Sequence, residues 1–190
     1  MIPLAFQRLQ TLTELSKLCE ETAKQLRSQA WPTVYRRVRT QHLKPVFLGV
    51  DKQGNCYFRV NSGTTKGKFW YQTLRFKDLQ DGLEIFYSDA DFSRRAVVDL
   101  IASGDLQVYC NDPSFRYYWQ YKAWNRGYGL RKEVRYPRIR NPNQTGSVCK
   151  HLCAVLQSLP FFIPQIVHAY QKKGLFPKNW KSLKKSMRKR

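Results

Sequence analysis

The 190-residue sequence predicts an α+β domain, and three observations lead there. Three short runs rich in β-branched and aromatic residues follow one another: KPVFLGVD (44–51), NCYFRVNS (55–62) and KFWYQTLRF (68–76). Turn chemistry separates them, and segments with helical apolar spacing lie on either side. Hydrophobic residues make up 42% of the chain and aromatics 14%. That is enough for a core, and it excludes a wholly disordered protein.

Taken in order, residues 4–29 read as an amphipathic helix. Leu4, Leu9, Leu12, Leu15, Leu18, Cys19, Ala23 and Leu26 form its stripe, and Pro32 closes it. Residues 1–42 are thus an N-terminal helix and linker. Such a helix packs on its own domain or docks in a partner's groove. The three β runs, joined by DKQG and SGTTKG, predict a three-stranded antiparallel meander. In the third run Phe69, Tyr71, Thr73 and Arg75 face one way and Trp70, Gln72, Leu74 and Phe76 the other. Neither set is purely polar, so both faces are expected to be partly covered. A short helix follows at about 93–103, with Ser93 as N-cap, Ala96, Val97, Leu100 and Ile101 as its apolar face, and Gly104 as its stop. The strand DLQVYC (105–110) then runs into NDPSF, and residues 116–140 interleave tyrosine and tryptophan with arginine and lysine. After RNPNQTG a helix spans about Ser147–Ser158. Pro160 interrupts it, and Pro164 suits the first turn of a second helix. Residues 43–171 form the α+β domain, and 172–190 a basic C-terminal tail.

The charge is strongly polarised. Lys and Arg total 34 against 13 Asp and Glu, a net of +21. From Pro113 to the end there are 18 basic residues and a single acid, Glu133. A chain of this kind repels its own copies until a polyanion or an acidic partner neutralises it. The candidate contact residues are Arg116, Lys122, Arg126, Arg131, Lys132, Arg135, Arg138 and Arg140. To these the tail adds Lys172, Lys173, Lys178, Lys181, Lys184, Lys185, Arg188, Lys189 and Arg190. Guanidinium groups meet phosphates while rings stack on bases, giving a sequence-tolerant nucleic-acid surface. The same residue types also build protein–protein contacts, and some of the rings must complete the core.

Other classes fare poorly. No run reaches the ~18 apolar residues of a membrane span, and the start lacks the pattern of a secretory signal. A soluble protein with no membrane partner is expected. Five cysteines, an odd number, argue for reduced thiols in a cytosol rather than a disulfide framework. With three histidines and neither a nucleophile elbow nor a P-loop, no enzyme is expected. The acids Asp89, Asp91, Asp99 and Asp105 could be imagined as a metal-dependent nuclease cluster, but Asp99 and Asp105 sit on different elements from the loop pair, and capping or turn roles explain most of them.

The most specific local feature is Cys110-Asn-Asp112 at a strand end and Cys149-Lys-His151 at a helix start. Thiolates and an imidazole in two close pairs suit tetrahedral zinc. This layout resembles the SWIM zinc-binding domain, whose Cys-x-Cys and Cys-x-His pairs sit on a β-hairpin followed by a helix. The wider pattern resembles more nearly one group of SWIM-like structural proteins of tailed bacteriophages. There a Gly-Asp strand enters Cys-x-Cys-Pro-x-Phe-x-Tyr, and Arg-Asn-Pro plus a Gly precede Cys-Lys-His-Leu. Here these match Gly104 and Asp105, Cys110 to Tyr117, Arg140 to Pro142, Gly146, and Cys149 to Leu152, within about residues 45–165. The resemblance implies a SWIM-like ββα unit with a structural zinc. It also implies a virion protein, part of a larger assembly, docking on head, neck or tail components. Its basic face would meet packaged DNA or acidic virion proteins. The alternative is a cytoplasmic SWIM-type nucleic-acid-binding accessory protein.

One departure bears on the zinc. Asp112 stands where the second cysteine belongs, leaving three arrangements open. Zinc is held by Cys110, Asp112, Cys149 and His151; or Cys153, one turn beyond Cys149, approaches as an alternative ligand; or the group has lost its metal and is held by packing. Cys153, Cys19 and Cys56 otherwise read as core residues.

Overall fold

A computed structural model describes residues 42–77, 79, 101, 106–144 and 146–175. The helix expected at 4–29, most of the one at 93–103, and the tail beyond Leu175 lie outside the described residues. So do Cys19, Gly104 and Asp105.

Four strands form one antiparallel sheet in sequential order: β1 (Pro45–Val50), β2 (Asn55–Asn61), β3 (Phe69–Phe76) and β4 (Leu106–Cys110). The expected meander is present, and β4 extends it beside β3. At the first hairpin Asp51 Oδ1 accepts from the N–H groups of Gln53 and Asn55, while Gly54 adopts φ +77°. That left-handed geometry is one glycine adopts without strain. In the edge strand β1, Leu48 is left unpaired by a bulge between Phe47 and Gly49.

Alternation sorts the side chains. Cys56, Phe58 and Val60, then Gln72, Leu74 and Phe76, then Leu106, Val108 and Cys110 all point into the core. The opposite face of β3 is only partly covered, with Thr73 and Arg75 half-buried and Phe69 and Tyr71 exposed. Of the β3–β4 connection Leu79 and Ile101 are described, and both are buried.

Two short helices follow β4: α1 (Pro113–Tyr118) and α2 (Gln120–Asn125). The sequence reading had no helix here. Asp112 is the N-cap of α1 and Pro113 its first residue, a start signal that the aromatic richness of the stretch obscured. Phe115, Tyr118, Trp119, Ala123 and Tyr128 fill the core, so the rings of this region do complete it. The chain then runs beside β4, with Val108 N donating to Tyr128 O and Leu130 N to Val108 O. A Cβ on Gly129 would lie 2.6 Å from Trp124 N and 2.8 Å from Ala123 C, so this approach needs glycine.

The C-terminal helix corrects an expectation. It is one 23-residue helix, α3 (Lys150–Lys172), running through both Pro160 and Pro164. Both prolines are exposed, so the interruptions in the backbone ladder face water, which can solvate the freed carbonyls. Lys172 is its last residue and Lys173 its C-cap, so the basic tail starts inside helical structure. As a single element α3 is long and apolar enough to cross a membrane, which two halves split at Pro160 were not. Here Leu152, Val155, Leu156, Leu159, Ile163 and Ile166 form a buried row, and α3 touches all four strands. Each such side chain contributes about 1.5–3 kcal/mol by leaving water. The far end is tied down as well: Tyr170 OH donates to Gly54 O at 2.6 Å.

Candidate metal centre

The two motif pairs meet. β4 ends with Cys110 on its core face, and α3 begins at Cys149, an extended N-cap residue that places His151 in the first turn. Cys110 Sγ, Cys149 Sγ and a ring nitrogen of His151 all lie within 4.8 Å of one another, and all three residues are buried. Three donors from a strand end and a helix start, soft and borderline, are a set compatible with zinc.

Polar groups around the sulfurs fit a cation. Gln72, the partner of Cys110 across β3 and β4, donates Nε2 to Cys110 Sγ at 3.5 Å. Asp112 N donates to the same sulfur at 3.4 Å. N–H groups aimed at a sulfur favour its thiolate, the form that binds metal. Burial pushes the Cys110 thiol up, but contacts with Cys149, His151, Gln72 and the Asp112 N–H outweigh it and lower its pKa. Burial and the neighbouring Cys110 raise Cys149. Burial also works against an imidazolium at His151, yet Asp112 and Cys110 together raise it.

Orphaned atoms gather at the same place. Among the described residues, the buried side-chain polar atoms without a hydrogen-bond partner are Gln72 Oε1 and both ring nitrogens of His151. Nδ1 nonetheless lies 2.9 Å from Asp112 Oδ2, and despite burial that contact lowers Asp112 and raises His151. Unpaired atoms are rare in a core, and a metal held by the three donors would take one of the ring nitrogens.

Asp112 itself is committed elsewhere. Its Oδ1 accepts from Ser114 N at 2.9 Å and its Oδ2 from Ser114 Oγ at 2.6 Å. Burial opposes its ionisation, but His151 and Ser114 hold the carboxyl down at about 2. The carboxylate therefore stands beside the imidazole as a partner and caps α1. Cys153 is buried one turn beyond Cys149 and bonds back to its carbonyl, outside the group of three. Cys56 is a core residue, its thiol pushed up to about 12 by burial.

The loop that feeds Cys149 is held by the preceding region. Asn141 Nδ2 donates to Tyr118 O, Tyr128 OH to Ser147 O, and Lys122 Nζ to the carbonyls of Gln144 and Gly146. Burial lowers Lys122 to about 8. Lys122 thus spends its donors on its own chain, while other basic candidates face outward. Arg116, Arg135, Arg138 and Arg140 line one open cleft of about 260 Å³, together with Tyr117, Tyr136 and, among the described residues, a single carboxylate, Glu133. Glu133 pairs with Arg135 at 3.1 Å, lies 3.9 Å from Arg116, and is lowered by the Arg135 side chain. Arg131 lies over the Tyr109 ring at 4.0 Å, and Arg126, Lys132, Lys172 and Lys173 are exposed. Lys178, Lys181, Lys184, Lys185, Arg188, Lys189 and Arg190 lie outside the described residues.

The sequence reading missed Gln72 as a sulfur partner. Its signal was a lone amide on the otherwise apolar face of β3. In comparisons with known proteins, no family model, no curated protein and no solved structure matches the chain.

Proposed function

We propose that the chain is a non-enzymatic structural protein whose fold is closed by zinc and whose basic cleft docks on a polyanion. In the setting implied by the SWIM-like resemblance, it is a virion component meeting packaged DNA or an acidic virion protein. What carries the reading is the contrast between two sites. The Cys110, Cys149 and His151 group is buried in the core, which suits a structural metal. Arg116, Arg135, Arg138 and Arg140 instead share an open cleft with one carboxylate, which suits docking.

Quantitative mass spectrometry of nuclease-treated, gradient-purified particles tests the virion role, with elemental analysis of the pure chain for zinc. The expected result is a fixed copy number and one zinc per chain. Absence from the particles sinks the virion role, and a zinc-free folded chain sinks the metal. If DNA fills the cleft, four arginines on four phosphates give a log–log salt slope of roughly −3 to −4.

A further inference from the structure

The core, α3 and the metal group account for one face of the sheet. On the other, β2 and β3 present Tyr57, Arg59, Phe69, Tyr71 and Arg75 in register: Arg59 lies opposite Tyr71, Tyr57 opposite Thr73, and Asn61 opposite Phe69. Tyr57, Phe69 and Tyr71 are 37%, 42% and 48% exposed, in a fold that buries Trp119, Tyr128, Phe58 and Phe115 almost completely. Three rings on one rigid surface form an apolar patch of the kind that marks an interaction site.

Their surroundings hold them ready. Tyr57 OH donates to Asp51 Oδ2 at 2.7 Å, and the Arg59 guanidinium stands 5.0 Å from the Phe69 ring centre. Arg75 Nε donates to Asn55 Oδ1 at 2.7 Å. Asn111 fixes the backbone of Tyr71 by accepting from its N–H through Oδ1 and donating to its carbonyl.

We propose that this face is a stacking platform for single-stranded nucleic acid, with Phe69, Tyr71 and Tyr57 taking bases and Arg59 and Arg75 meeting phosphates. Charge complementarity selects the occupant. Among the described residues the cations on this face are guanidinium groups, and the nearby carboxylate, Asp51, is absorbed by the hairpin turn and Tyr57. A second copy of the chain would bring the same arginines, and copies carrying +21 repel one another. Duplex DNA hides the faces of its bases, whereas an unpaired strand offers them to aromatic rings. Phe69 and Tyr71, two residues apart, are separated along the strand by about 7 Å, so each ring can take a successive base. This reading uses neither the zinc nor the arginine cleft, so it stands or falls apart from them.

The test is fluorescence anisotropy of a labelled oligo-dT of about twelve nucleotides, within the site sizes of single-strand binders. Full-length chain is used, with heparin as a stacking-free polyanion. Phe69→Ala and Tyr71→Ala should each weaken oligo-dT binding about 10-fold, one base–ring contact's worth. Heparin binding and the melting temperature should stay unchanged, and Tyr71→Phe should bind as the parent does. Tyr71→Ala binding like the parent overturns the proposal, as does equal loss of oligo-dT and heparin. Equal affinity for a duplex of the same length also overturns it. So does failure to bind with Tyr71→Ala lowering the melting temperature, which assigns the rings to a cover such as the 4–29 stripe.

Discussion

Replacing Asp112 separates two roles of one carboxylate. It caps α1 through Ser114 and faces the buried His151 imidazole at 2.9 Å. Asparagine caps a helix as well as aspartate does, so Asp112→Asn keeps the cap and removes only the charge. Asp112→Ala removes both. A lost cap costs about 1 kcal/mol and a lost contact with a charged partner about 1.5–3 kcal/mol. The alanine variant should therefore lose about 2.5–4 kcal/mol and the asparagine variant about 1 kcal/mol less. At roughly 2–4 °C per kcal/mol for a chain of this size, alanine lowers the melting temperature by roughly 5–15 °C.

Paired urea and thermal melts, with zinc and with chelator, read both losses. With zinc in the proposed site the same carboxylate would orient its imidazole ligand, so Asp112→Asn should also weaken zinc binding about 10- to 100-fold. An asparagine variant that melts and binds zinc like the parent would refute the orienting role. Equal losses for the two variants would refute the cap.

Two further outcomes follow from local geometry. Gly129→Ala should cost about 1–3 kcal/mol, since its Cβ meets backbone that cannot swing away; an unchanged urea midpoint would show that the 128–130 segment is loosely held. Burial of Asp51 favours its neutral form, but hydrogen bonds from Asn55, Tyr57 and Gln53 outweigh it and lower its pKa. Its folded pKa is thus below its unfolded one, so the stability it gives is full above about pH 4 and is lost as pH falls through the folded value. Asp51→Asn should flatten that acid limb in thermal melts between pH 6 and 2, and an unchanged limb would show that the turn carboxylate is not responsible.

The meander was readable because every device for it is local. Asp51 and Gly54 make the first turn, SGTTKG the second, and alternation sets the faces. The convergence of Cys110, Cys149 and His151 was readable because the two pairs are each contiguous, and a strand end and a helix start are where such pairs converge. Asp112 was harder. A carboxylate in a ligand's position reads as a ligand, while its bonds to Ser114 and its place beside His151 depend on where the chain turns after Cys110. The basic ribbon hid a division of labour for the same reason. Nothing in the residue type separates Lys122, which ties down the loop before Cys149, from Arg138, which faces the cleft.

The continuity of α3 shows how burial overrules a local rule. A proline inside a helix costs about 3 kcal/mol, so two cost about 6 kcal/mol, comparable with the whole net stability of many domains. Pro160 and Pro164 are four residues apart and both exposed, so the two penalties fall on one side of the helix. The other side carries Leu152, Val155, Leu156, Leu159, Ile163 and Ile166, six side chains worth about 1.5–3 kcal/mol each on leaving water. That sum exceeds the penalty, and it is greatest while the whole row lies on the sheet. Breaking the helix at Pro160 would leave its second half, with Ile163 and Ile166, to find the sheet alone. Both ends are therefore fixed, Cys149 and His151 against Cys110 at one, and Tyr170 on the Gly54 carbonyl at the other. A metal on the first group would tighten the N-terminal anchor. The continuity of the helix and the closure of the metal group are thus parts of one packing solution.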